Sequence, residues 1–139
     1  MADKDRLGES WTLTTVSIEV ETGDVDPEVV TQRLGLTPTG VWRPDAGIQS
    51  IKSEIGAYWL LECDDRTTRV FSEQLDEILK AAERVSSKLS ELQDEGFAVA
   101  LVIRGYADHD SQLLISASNM MRISRLGIPL VMQPSLSDR

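Results

Sequence analysis

The chain has 139 residues, the usual size of one domain, and 41% of them are hydrophobic, enough for a core that needs neither disulfides nor metal. Its 23 acidic residues outnumber its 14 lysine and arginine residues, which leaves a formal net charge of −9. This charge disfavours nucleic acid and anionic membranes as partners, because both attract cationic surfaces, and it fits a basic protein instead.

The expected organisation is one folded domain over residues 11–134, with a flexible lead-in at 1–10 and a short tail at 135–139. The first ten residues are polar and lack the apolar segment of a signal peptide. The longest apolar run, residues 97–103, is far shorter than the ~20 residues that span a bilayer. We therefore expect a cytoplasmic protein.

The first predicted strand covers residues 11–20, where polar and apolar side chains alternate between two faces. An acidic turn at 21–24 leads to a helix that Asp26 and Pro27 open, because a carboxylate caps exposed amides and proline suits the first turn. Gly35 is predicted to end this helix in a left-handed conformation.

The segment 36–56 is rich in proline and glycine and holds one short predicted strand at 41–43. Another strand, over residues 57–63, alternates between two faces. A long helix is expected from within residues 67–72 to Glu95, because apolar side chains recur at steps of four and three. The apolar stripe consists of Phe71, Leu75, Ile78, Ala82, Val85, Leu89 and Leu92. We expect this stripe to pack against a sheet rather than in a coiled coil.

A strand is predicted over residues 97–106. Its nearly unbroken run of apolar residues, rich in Ala, Val and Ile, favours a central position in the sheet. A helix follows at 116–126, and the last strand, 128–133, suits a sheet edge because prolines bracket it. This order predicts an α+β domain with a ferredoxin-like βαββαβ antiparallel sheet, an added C-terminal αβ unit and helices on one face. The edge strand allows a homodimer through sheet pairing, although its prolines oppose one.

A motif in the first half of the chain agrees with this fold. It comprises Leu34-Gly35-Leu36-Thr37-Pro38, Trp42-Arg43, Gly47 and Trp59. With this motif, nearly the whole domain resembles a bacterial family catalogued as domain-of-unknown-function family 4279. The spacing from Arg43 to Gly47 is slightly longer than the spacing between the basic residue and the glycine that is expected for that family. The resemblance implies a shared fold and carries no activity.

The Trp42/Arg43 loop is the leading binding candidate, because loops that carry bulky aromatic residues often bind something. Trp42 would offer an aromatic surface, and Arg43 a planar donor for a carboxylate or phosphate. Alternatively, Trp42 folds its loop onto the sheet. Trp59 is also a candidate, although the alternative that it fills the core is favoured.

Carboxylates concentrate near the first turn, and Glu21 and Asp24 are the binding candidates among them. The full set is Glu19, Glu21, Asp24, Asp26 and Glu28. Helix capping and strand alternation explain most of these residues, so a calcium site is disfavoured. Further acidic groups follow at Glu62, Asp64 and Asp65 and at Asp94 and Glu95. If two of these groups meet in space, they form a negative patch for a basic partner.

Signals of catalysis are weak in this sequence. Cys63 and His109 are the only cysteine and histidine, and in the expected sheet they end roughly 10 Å apart, too far for a nucleophile–base pair. The chain has no phosphate-binding glycine loop, no nucleophile elbow and no zinc-protease motif. We expect no catalysis, no cofactor and no metal.

The expected function is therefore binding without catalysis. The sharper hypothesis is an immunity-type antagonist whose acidic surface covers a basic protein, such as a toxin nuclease. The alternative is a small-ligand sensor or regulatory module with a pocket at the Trp42/Arg43 loop.

Overall fold

The computed structural model describes residues 10–44, 56–63, 70–108 and 110–136. Within these ranges the chain forms five strands and four helices, which confirms the predicted α+β class. The strands are β1 (Thr12–Gly23), β2 (Gly40–Trp42), β3 (Ala57–Glu62), β4 (Ala98–Tyr106) and β5 (Leu130–Ser135). The helices are α1 (Glu28–Leu34), α2 (Phe71–Arg84), α3 (Ser86–Asp94) and α4 (Ala117–Leu126). Predictions for residues 1–9, 45–55, 64–69 and 137–139 lie outside the described residues.

All five strands belong to one sheet, in the order β2-β3-β1-β4-β5. The first three neighbouring pairs are antiparallel, whereas β4 and β5 run parallel, with Leu101 opposite Leu130. The prediction of an antiparallel sheet is therefore wrong for the last pair, and the sheet is mixed. Helix α4 explains the difference, because a helical crossover returns the chain in its original direction. The predicted edge position of β5 is confirmed.

The core lies between one face of the sheet and the helices. Along β1 the side chains of Val16, Ile18 and Val20 are fully buried, as the alternation predicts. Trp59 on β3 and Leu101 on β4 are buried in the same cluster. The helices contribute apolar residues to this layer, among them Val30, Leu75, Leu79, Leu89, Leu92, Ile123 and Leu126.

The opposite face of the sheet carries the alternate side chains of each strand, and we call it the open face. Its members include Thr15, Ser17, Glu19, Glu21, Trp42, Tyr58, Leu60, Val102, Arg104 and Gln133. Most of them keep solvent contact, because the described helices pack on the other side. The domain therefore exposes a polar and partly aromatic sheet surface.

The prediction of one continuous helix up to Glu95 is wrong, because the structure has two helices there. The interruption is Val85, whose φ of −121° lies outside the helical range, and α3 begins at the next residue. The β-branched Val85 and the serines that follow it favour a helix less than their neighbours do. Val85 is itself buried, as are Ala82 before it and Leu89 after it, so the apolar stripe continues across the break. No helix in the described ranges has the length and apolar character that crossing a bilayer requires.

Two glycines shape the connections around β1 and α1. Gly35 ends α1 with a φ of 70°, as predicted, and its amide donates to the Thr31 carbonyl. Gly56 approaches Gly23 so closely that an added Cβ would lie 2.5 Å from the Gly23 Cα atom. The start of β3 thus packs backbone against backbone on the end of β1.

Candidate binding groove on the open face

Strand pairing brings side chains from three strands together on the open face. Trp42 lies opposite Tyr58, and Tyr58 lies opposite Glu21 on the next strand. One step along the same strands, Leu60 lies opposite Glu19. Side chains directly opposite one another have Cβ atoms about 5 Å apart, so these residues form a continuous surface.

The aromatic pair of Trp42 and Tyr58 forms one side of this surface. The ring centroids are 6.2 Å apart, and the ring planes are tilted by 57°. Alternation along the short strand β2 directs Trp42 to the open face, whereas its neighbour Val41 lies opposite Trp59. Because β2 is an edge strand, Trp42 keeps 40% of its surface exposed.

The polar centre of the surface is an ion pair between Arg104 and Glu19. Both terminal nitrogens of Arg104 donate to the carboxylate, Nη2 at 3.3 Å, and Nε donates to Gln133 Oε1 at 2.8 Å. Ser17 Oγ also donates to Glu19, at 3.1 Å. The bonds to Glu19 raise the pKa of Arg104 above its ordinary value, against the effect of burial. Each of the three guanidinium nitrogens of Arg104 is therefore already engaged.

A groove of about 500 Å³ runs along these residues and opens to solvent. Its lining includes Glu19, Trp42, Tyr58, Leu60, Arg104 and Gln133. Charged groups beside aromatic rings suit a ligand that has both a polar and an apolar part. The described residues contain no group of three or more side chains that could hold a metal ion.

The family of the protein follows from a comparison with protein-family models. Residues 12–137 match the family described as Domain of unknown function (DUF4279). The chain belongs to this family. The match covers nearly the whole chain and confirms the resemblance that the sequence motif indicated. Comparisons with curated proteins and with solved structures found no significant match.

In this DUF4279 domain the side chains of the two predicted loop residues, Trp42 and Arg43, contact different parts of the surface. Trp42 lines the groove, whereas Arg43 turns to Asp26, whose Oδ1 accepts from Nη2 at 2.9 Å and from Nε at 3.3 Å. The Glu28 amide, and after it Arg43, lower the pKa of the Asp26 carboxyl. The guanidinium of the groove therefore comes from Arg104 and not from Arg43.

Trp59 belongs to the core of the DUF4279 domain. Its side chain is fully buried, and its indole N–H donates to Thr31 Oγ1 at 3.0 Å. Its neighbours on β3, Tyr58 and Leu60, direct their side chains to the open face. Trp59 thus lies on the core side of the sheet behind the groove. This position matches the favoured alternative that Trp59 fills the core.

Acidic side chains from distant parts of the sequence meet at one end of the sheet. Glu21 and Glu95 line the same shallow hollow there. Asp24 and Asp94 lie close to them in the chain, and both are exposed. We call this surface the acidic end, and it comprises Glu21, Asp24, Asp26, Glu28, Glu91, Asp94 and Glu95.

Cys63 is buried, and its thiol donates to Glu77 Oε2 at 3.3 Å. His109, the base considered with it, lies outside the described residues, as do Asp64 and Asp65. The separation of Cys63 and His109 therefore stays a prediction.

Sequence reasoning missed Arg104 and Glu19 as groove residues. One signal for Arg104 is present in the sequence, because it is the one charged residue in the otherwise apolar strand β4. Glu19 stands among alternating residues of β1 on the polar side. Their pairing depends on the register of the two strands, which places Thr15 opposite Arg104 and Ala100 opposite Glu19.

Proposed function

We propose that this DUF4279 domain acts without catalysis and binds a basic protein partner through its acidic end, as an immunity-type antagonist of a toxin nuclease would. The observation that carries this proposal is that Glu21 and Glu95, one from each of two acidic groups of the sequence, line the same hollow. They are far apart in the sequence, and the fold joins them at one end of the sheet.

The electrostatics of the acidic end favour a cationic partner. Its two described arginines are already paired, since Arg33 contacts Glu95 at 2.6 Å and Arg43 contacts Asp26 at 2.9 Å. Asp24 is exposed and has no ion-pair partner among the described residues. Such a surface raises the rate at which a basic protein associates with it.

The scaffold agrees with a compact binding module. The first four strands have the spatial order β4-β1-β3-β2, which supports a ferredoxin-like core with an added α4–β5 unit. This scaffold hosts unrelated functions, so it serves the proposal only by presenting a rigid surface. A cytoplasmic location fits the single cysteine, because thiols stay reduced there.

The test uses the products of the genes that flank this one as candidate partners. Titration calorimetry at about 50 and 400 mM NaCl should reveal a basic protein whose binding weakens steeply with salt. Asp24→Lys and Asp94→Lys should each raise the dissociation constant about fivefold or more at the lower salt concentration. Lysine at position 94 ends α3, where the helix dipole favours a cation, so the fold should persist.

The matched control is Asp108→Lys, which changes the net charge equally. Asp108 follows the far end of β4, whose nine residues separate it by about 30 Å from the acidic end. This variant should change the dissociation constant less than twofold. A dissociation constant that changes neither with salt nor with the two acidic-end substitutions would overturn the proposal. The absence of any basic partner among these gene products would overturn it as well.

A second candidate function is a small-ligand sensor, and the open-face groove favours it. Trp42 and Tyr58 flank a solvent-open space of about 500 Å³, a size typical of small-molecule sites. A metabolite library screened by thermal shift should then yield a ligand that raises the melting temperature by mass action. The shift should disappear in Trp42→Ala. A ligand whose effect survives that substitution binds elsewhere and would contradict this function for the groove.

A further inference from the structure

Glu21 connects the open-face groove to the acidic end. It lines the hollow of the acidic end, and it also lines a second open-face hollow that shares Glu19, Tyr58 and Gln133 with the groove. On the basis of the function proposed above, we propose that the groove receives one arginine side chain of the basic partner. Its guanidinium would contact the Glu21 carboxylate and the rings of Trp42 and Tyr58. This arginine would anchor the complex, whereas the acidic end would attract the partner from a distance.

The charges of the groove favour a cation over an anion. Arg104 attracts an anionic ligand only weakly, because the Glu19 carboxylate, bound to both of its terminal nitrogens, neutralises its charge. An anion that replaced these bonds would have to displace Glu19, whose side chain is only 17% exposed. Among the described residues, therefore, the charges that line the groove cancel, and the charge in the adjoining open-face hollow is negative.

Glu21 supplies that negative charge. It is half-buried, lies directly opposite Tyr58, and has no ion-pair partner among the described residues. Glu19 differs, because Arg104 and Ser17 already donate to it. A cation at the Tyr58 side of the groove, where the adjoining hollow begins, would give Glu21 the partner that Glu19 already has.

The aromatic pair favours arginine over lysine as that cation. The tilted pair keeps ring surface exposed to solvent, since Trp42 is 40% exposed and Tyr58 is half-buried. A planar guanidinium stacks on such rings and still donates in its own plane to a carboxylate, whereas an ammonium group is a strongly hydrated point charge. The apolar side chain of Leu60, in the same groove, would contact the aliphatic stem of the arginine.

The experiment uses N-acetyl-L-arginine amide as the probe and follows the folded protein by two-dimensional NMR. The indole N–H signal of Trp42 and the amide signals of Tyr58 and Glu21 should shift with saturation. N-acetyl-L-lysine amide should bind at least about threefold more weakly. Trp42→Ala and Glu21→Gln should each weaken arginine binding about fivefold, and Trp42→Phe should restore most of the affinity because it keeps a ring.

Asp108→Asn is the control for Glu21→Gln, since it removes the same charge at the far end of the sheet, and it should leave the titration unchanged. Equal affinity for the arginine, lysine and N-acetyl-L-glutamate probes would overturn the inference. Failure of the anchor and failure of the proposed function give different results. A basic partner whose salt-sensitive binding survives Trp42→Ala and Glu21→Gln refutes the anchor alone. If the NMR signals of Trp42, Tyr58 and Glu21 shift with the arginine probe but no basic protein binds, the proposed function alone is refuted.

Discussion

The ion pair between Glu19 and Arg104 should stabilise the sheet measurably, and a double-mutant cycle isolates its contribution. The cycle consists of Glu19→Gln, Arg104→Met and the combination of both, because each substitution removes a charge and keeps most of the side-chain volume. The pair joins β1 to β4, the two strands that carry most of the apolar core of the sheet.

The magnitude follows from the distance and from the exposure of the two groups. Charge centres about 4 Å apart attract by about 2 kcal/mol at an effective dielectric constant of about 40, a value suited to a pair that is partly in solvent. The side chain of Arg104 is 41% exposed and that of Glu19 is 17% exposed. The cost of ordering two long side chains offsets roughly half of the attraction, which leaves a coupling of about 1 kcal/mol.

The single substitution Arg104→Met should cost more than this coupling. It leaves the poorly exposed Glu19 carboxylate with only the Ser17 hydroxyl among its present donors, and Gln133 loses a donor as well. An expected loss of about 2 kcal/mol in the free energy of unfolding corresponds to a fall of about 1 M in the urea midpoint.

Urea unfolding followed by circular dichroism measures all four proteins of the cycle. The pair of Asp26 and Arg43 provides a second cycle with the same chemistry in full solvent, since these side chains are 60% and 54% exposed. Its coupling should lie within the error of the measurement. A Glu19–Arg104 coupling no larger than that of the exposed pair would refute the reasoning, because it would show that partial burial adds nothing to the ion pair.

Two further substitutions test the packing of the domain. Gly56→Ala places a Cβ 2.5 Å from the Gly23 backbone, so we expect a loss of about 2 kcal/mol or more in unfolding free energy, and wild-type stability would contradict the close approach. Arg122→Ala removes bonds of 2.8 Å to both Asp76 and Glu83 and should cost about 1 kcal/mol at pH 7. Because Arg122 lowers the pKa of both carboxyls below their ordinary 3.8 and 4.5, its stabilising effect is complete above about pH 5 and is lost as the pH falls through the lowered values. The difference in urea midpoint between wild type and variant should therefore narrow as the pH is lowered from about 5, and a difference that does not change with pH would refute this link.

Local chemistry made several parts of the fold predictable. The alternation of Val16, Ile18 and Val20 assigns the core face of β1 without any knowledge of its neighbours. Gly35 ends α1 because the left-handed conformation is cheap for glycine alone. In each case the determining interaction lies within a few residues of the chain.

The features that were not predicted depend on tertiary contacts. The direction of β5 follows from the path of α4 across the sheet. The groove shows the same limit. Trp42 could be recognised from its residue type, but the partner of Arg43 and the pairing of Arg104 are set by the loop path and strand register.

The central position of β1 has a consequence for synthesis of the chain. This strand is translated before the other four, yet its hydrogen-bonding partners come much later, as Ser17 pairs with Glu62 and Thr15 with Arg104. β4 must therefore leave the ribosome before β1 acquires both neighbours. Contacts between such distant residues slow folding, and until then the apolar residues of the strand remain available to chaperones.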